Sequence, residues 1–210
     1  MSPYSAIYFS FVLLPLIIGL FYVDKKNKLP LYFLGFISFT VLFEIITAVI
    51  GANGINNYFM FTLFLICDFL FFIWYYKKHI LYAPWFRYLN IFMLLLITYD
   101  IINSSITRNP LYPELYFITA LFLYFIIQNL YCLLSLSDDL YFLNNPIFWI
   151  SSGRLFYYIC VFSVFMCKFH YPTFSNVEVL SKLFLIINAL GNIVCYIMFS
   201  VSFLCKKIRI

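Results

Sequence analysis

The chain has 210 residues, 65% of them hydrophobic and only 10% charged, with a formal net charge of +5. A water-soluble domain of that composition would leave large apolar areas uncovered once its core was filled, so the soluble classes are excluded. What remains is an all-α, polytopic membrane protein, because apolar stretches near 20 residues match a hydrocarbon core of roughly 30 Å at about 1.5 Å of rise per residue.

Seven segments read as spans of a single transmembrane bundle over residues 1–210, at approximately 5–23, 31–50, 58–76, 86–103, 114–135, 147–168 and 178–204. The first is not a cleavable signal. Nothing positive precedes it, while Asp24, Lys25, Lys26 and Lys28 follow it. It carries almost no polar side chains and is expected at the periphery. The second span places Thr40, Glu44, Thr47 and Gly51 on one helical face. The third carries Asp68 near its middle. The fourth carries Asp100, with Asn103 and Ser104 beyond it, and the fifth has Gln128 and Asn129 in its inner half. Asn144, Asn145 and Pro146 announce the start of the sixth, where Ser151, Arg154 and Tyr158 share a face. In the seventh, Ser181, Asn188, Asn192, Cys195 and Ser202 form a small and polar seam.

Flanking charge sets the expected orientation. Lys25, Lys26, Lys28, Lys77, Lys78, Arg87, Lys206, Lys207 and Arg209 fall on one side, against Arg108, Lys168 and Lys182 on the other. The positive-inside rule then puts the amino terminus outside and the carboxyl terminus in the cytoplasm. The net positive charge comes from these flanks and suits contact with anionic lipid in the bilayer. Nucleic acid is excluded as a partner, because that would need a basic patch on a folded soluble surface.

Four ionisable residues lie inside the spans: Glu44, Asp68, Asp100 and Arg154. Each costs a few kcal/mol to insert and must face the bundle interior with a partner. Glu44 and Asp100 are expected in the outer half, where Asn188 and Asn192 complete a polar cavity for a ligand or ion. Two acids at one depth disfavour joint ionisation, so one would be protonated or hold a cation. Asp68 and Arg154, only a few ångströms apart in estimated depth, are the expected buried ion pair, with Asn129 or Asn192 completing the polar contacts. That pair either fixes helix register or serves the function.

The six cysteines show no CxxC pattern, and His79 and His170 fall on opposite sides of the membrane, so neither a metal site nor another cofactor is expected. HExxH, GxSxG and Walker A motifs are all missing. Asp138 and Asp139 read as a solvated loop. An enzymatic role is therefore disfavoured.

The stretch Asn145–Pro146–Ile147–Phe148–Trp149–Ile150, with Gly153, Leu155 and Tyr157 beyond it, resembles the sixth-helix opening of seven-helix sensor modules found in some bacterial membrane proteins, including ones attached to histidine kinases. Arg154 departs from that pattern, and only Leu-Cys-Lys-Lys-Ile-Arg-Ile follows Phe203. The resemblance implies a multi-pass protein of the bacterial inner membrane. As a sensor-like or accessory subunit without enzymatic activity, it would bind a small or lipid-like ligand and signal through a separate cytoplasmic protein or another membrane subunit. The alternative reading is a small transporter, channel or membrane-perturbing effector with a polar path through Glu44, Asp68, Asn129 and Arg154. A lipid-modifying enzyme acting through Asp100 or Asp138 is a third class. Gly and Ser seams permit a homo-oligomer.

Overall fold

The computed structural model describes residues 3–23, 28–54, 58–77, 95, 99, 112–136, 139–170 and 177–205. Among these every regular element is helical: α1 (Pro3–Tyr22), α2 (Lys28–Ala52), α3 (Tyr58–Lys77), α4 (Tyr112–Leu136), a 3-10 helix (Asp139–Asn144), α5 (Pro146–His170) and α6 (Val177–Leu204). These helices lie over six of the seven apolar segments read from the sequence. The remaining segment, 86–103, lies outside the described residues except for Leu95 and Tyr99. Also outside them are Asp100, Asn103, Ser104, His79, Asp138 and the flanking cations Lys25, Lys26, Lys78, Arg87, Arg108, Lys206, Lys207 and Arg209.

Among the described residues, three helical stretches are long and apolar enough to cross a membrane: Lys28–Ala52, Pro146–Val164 in α5 and Leu185–Leu204 in α6. Shorter apolar stretches run over Ile7–Tyr22, Cys67–Tyr76 and Phe122–Ser135. Large apolar side chains stand on the surface, with Phe21 81% and Leu185 70% exposed. In water that exposure would be costly, whereas lipid accommodates it, so the all-helical fold is compatible with a membrane protein.

The chain divides into two compact units, Met1–Leu34 with Thr119–Ile210, and Gly35–Ile118. In the first, α6 packs along α5 and along α1. The α5–α6 contact is a close backbone approach. A Cβ added at Gly191 would stand 2.9 Å from Cys160 Cβ, and one at Gly153 would stand 3.2 Å from the Cys195 carbonyl oxygen. Glycine at both positions is what lets the helices meet, as is usual where lipid supplies no hydrophobic drive to association. Around the carboxyl-terminal end of α6, Phe33 meets Phe199 edge to face at 5.1 Å and lies 5.4 Å from Phe203. Gly19 of α1 leaves room for Leu34 and Phe203. From α1 the side chains of Val12 and Pro15 are fully buried, while Ile7, Ile17, Leu20 and Phe21 are exposed, so this helix packs by one face only.

In the second unit α2 and α3 run antiparallel. Phe36 stacks on Phe71 at 4.2 Å and meets Phe72 edge to face, and Phe43 lies 5.3 Å from Phe64. Tyr75 and Tyr76 close the aromatic row and are almost wholly buried. At the far end of α2 the backbone turns at Gly54, whose φ of +71° is a left-handed conformation that favours glycine.

Candidate functional site

The start of α5 is built locally. Asn145 Oδ1 accepts from the Ile147 N–H at 3.0 Å, capping the helix, and Pro146 occupies the first turn, where its missing N–H costs nothing. Trp149 Nε1 donates to the Leu143 carbonyl at 2.7 Å, joining this first turn to the preceding 3-10 helix. Arg154 follows about two turns further in, roughly 12 Å from Pro146 along the axis.

Arg154 is 3% exposed. Its Nη2 donates to Tyr158 Oη at 3.0 Å, a contact that the i, i+4 spacing of one helical face makes natural. Its Cζ stands 5.1 Å from the centroid of the Tyr158 ring and 5.9 Å from that of Phe122 on α4. Those two rings are themselves stacked, 4.8 Å apart and 10° from parallel. The guanidinium thus rests against an aromatic pair spanning two helices. A hydrogen bond from a charged donor contributes about 1.5–3 kcal/mol and each ring contact about 0.5–2 kcal/mol, enough to offset an insertion cost of roughly 2.5–3.5 kcal/mol. A planar guanidinium can lie along a ring while donating sideways, and an ammonium cannot.

The α4 face that carries Phe122 is read off its burial: Thr119, Phe122, Ile126, Asn129 and Leu133 are buried at alternating three- and four-residue steps. On α5 the side of Gly153 turns to α6, while Arg154 engages α4. The cation therefore sits on a helix gripped by close packing to one neighbour and by ring contact to the other.

Many polar groups of the spans are satisfied within their own helices. Thr40 Oγ1 donates to the Phe36 carbonyl at 3.0 Å, Asn129 Nδ2 to that of Phe125 at 2.8 Å, Ser200 Oγ to that of Tyr196 at 2.8 Å and Ser202 Oγ to that of Phe199 at 2.6 Å. Asn192 Nδ2 donates to the Asn188 carbonyl at 3.0 Å. Back-bonding of this kind is the ordinary way a hydroxyl or amide is carried in a helix.

Of the residues expected to line an outer cavity, Glu44 is partly buried on α2, Asn192 is partly buried on α6, and Asn188 is exposed. Asp100 lies outside the described residues. Asp68 is 3% exposed on α3. The antiparallel pairing of Phe36 with Phe71 and Phe72 puts Asp68 level with Thr40 in the second unit. Asn129 and Asn192, expected to complete the polar contacts of the ion pair, each direct one amide N–H to a carbonyl of their own helix. Phe122, Gly153 and Gly191 did not stand out in the sequence as site-forming residues. Nothing distinguished Phe122 from the other 27 of 28 phenylalanines.

Among the described residues no group of three or more His, Cys, Asp or Glu side chains is placed to hold a metal ion. Compared with protein-family models, curated proteins and solved structures, the chain finds no match.

Proposed function

We propose that this chain is a seven-span protein of a bacterial inner membrane, amino terminus outside, acting as a non-enzymatic sensor-like or accessory subunit. The observation that carries the reading is the setting of Arg154: a buried cation fixed by Tyr158 and by the Phe122–Tyr158 stack. A guanidinium held in this way is closed to an incoming substrate. Its use is to couple the helices that grip it, so that a shift in one is felt in the next. A small or lipid-like ligand would act from the outer half, near Glu44 and Asp100, and the shift would pass to a cytoplasmic partner. The intrahelical bonding of Thr40, Asn129, Ser200 and Ser202 favours coupling over conduction, because these groups have already used a donor on their own backbone.

Reporter fusions at the loops test the span count and orientation. Purified protein in liposomes tests the role: the sensor reading expects no ion or proton flux and a cytoplasmic protein that co-purifies. Flux that disappears on Glu44→Gln would instead establish a transporter with a path through Glu44, Asp68, Asn129 and Arg154.

A further inference from the structure

We infer that the 3-10 helix Asp139–Asn144 and the first turn of α5 form an anchor seated in the headgroup layer of the bilayer, with Trp149 as its inserted side chain. The inference rests on the membrane reading of α5 and α6 and adds the depth at which they sit.

The geometry begins with the two spans on either side. Pro146–Val164 and Leu185–Leu204 are both long and apolar enough to cross, and they belong to helices packed against each other. Their ends on one side lie together, because Cys205 Sγ, just past α6, stands 3.6 Å from the Leu143 carbonyl oxygen just before α5, while its shorter contact, 3.4 Å, is to the Val201 carbonyl of its own helix. Two spans that finish at one level place the segment joining that level at the membrane boundary. The 3-10 helix is that segment.

Its chemistry suits the boundary. Leu143 is 41% exposed, and Asn144 beside it is exposed as well. Phe142 meets Phe148 edge to face at 5.0 Å, and Phe148 meets Trp149 at 5.5 Å, so three rings form one continuous row. A layer both apolar and hydrogen-bonding is where such a mixture is stable, and it is where tryptophan concentrates in membrane proteins. The indole N–H, which pure hydrocarbon could not satisfy, is already bonded to Leu143. Trp149 can therefore insert by its ring without leaving a polar group unsatisfied. Arg154, five residues on, then lies roughly 8 Å deeper.

The test is the fluorescence of Trp149 in vesicles of phosphatidylcholine brominated either near the headgroup or near the chain end, using the full chain with Trp74→Phe and Trp85→Phe. The inference expects the greater loss of emission with the shallow bromine. Greater loss with the deep bromine, or quenching only by a water-soluble agent, overturns it. If the double variant fails to fold, the difference between the unaltered chain and Trp149→Phe gives the same readout. A chain that does not float with vesicles defeats the membrane reading and the anchor together, whereas one that floats with Trp149 deep or in water defeats the anchor alone.

Discussion

Arg154 and Tyr158 are joined one turn apart on α5, guanidinium to phenol, at 3.0 Å. The same phenol ring stacks on Phe122 of α4, so one side chain bonds the guanidinium and links it to a second helix. Tyr158→Phe keeps the stack and removes the hydroxyl, and it should lower stability by about 1–2 kcal/mol. Phe122→Leu keeps the hydroxyl and removes the ring contact, with a cost of about 1–3 kcal/mol. Thermal unfolding of each variant in mild detergent checks both values. Equal stability of Phe122→Leu and the unaltered protein would show that the ring contact is incidental.

The charge pattern of the sequence makes Asp68 the expected partner of Arg154, and a double-mutant cycle tests that expectation directly. If the two charges are partners, Arg154→Met alone and Asp68→Leu alone should each lower stability by about 3–5 kcal/mol, since each would strand a buried charge. The double variant should recover most of that loss. Additive losses would instead assign the two charges separate partners.

Gly191→Ala should destabilise by about 1–3 kcal/mol, because its Cβ would meet Cys160 Cβ at 2.9 Å and force α5 and α6 apart. Cys160→Gly in the same chain should restore part of the loss by clearing that contact. Gly35→Ala is the contrasting case. Gly35 is itself exposed on α2 and nothing stands within 4 Å of its would-be Cβ, so the change should be neutral or stabilise by up to about 1 kcal/mol.

Cys205 lies just beyond α6, and burial pushes its thiol pKa up from the usual 9.0. An acid whose pKa is higher in the folded state favours folding while it stays protonated. That contribution is present below the unfolded value and is lost as pH rises through the folded one. In a variant with the other cysteines replaced by serine or alanine, alkylation of Cys205 at pH 8 should be slower in the folded protein than in the denatured chain. Equal rates would mean that the thiol does not keep its place against Leu143.

Most of the helical layout was legible in the sequence because helix boundaries are set by near neighbours. Asn145 and Pro146 mark the start of α5 through contacts only two residues long. The shared face of Arg154 and Tyr158 was likewise given by the helical repeat. Phe122 was not, since its contact with Tyr158 crosses 36 positions in a chain where aromatic residues are too common to single one out. The glycines of the α5–α6 contact were hidden for a related reason: a missing side chain gains meaning only when the opposing helix is known. Asn129 and Asn192 show a local competition that polarity alone does not reveal. Their polarity invites a partner on another helix, and a carbonyl four residues back in each own helix already takes one N–H.

The Leu143 carbonyl accepts from Trp149, six residues on in sequence, but meets the Cys205 thiol only 62 residues later. At a synthesis rate of about 5–20 residues per second, that is a delay of roughly 3–11 s between Trp149 and Cys205 leaving the ribosome. During that interval α5 has its cap and its tryptophan in place but lacks the thiol contact from beyond α6. Completion of this corner is therefore a late event of biogenesis, and it coincides with the arrival of the helix whose glycine face α5 is shaped to receive.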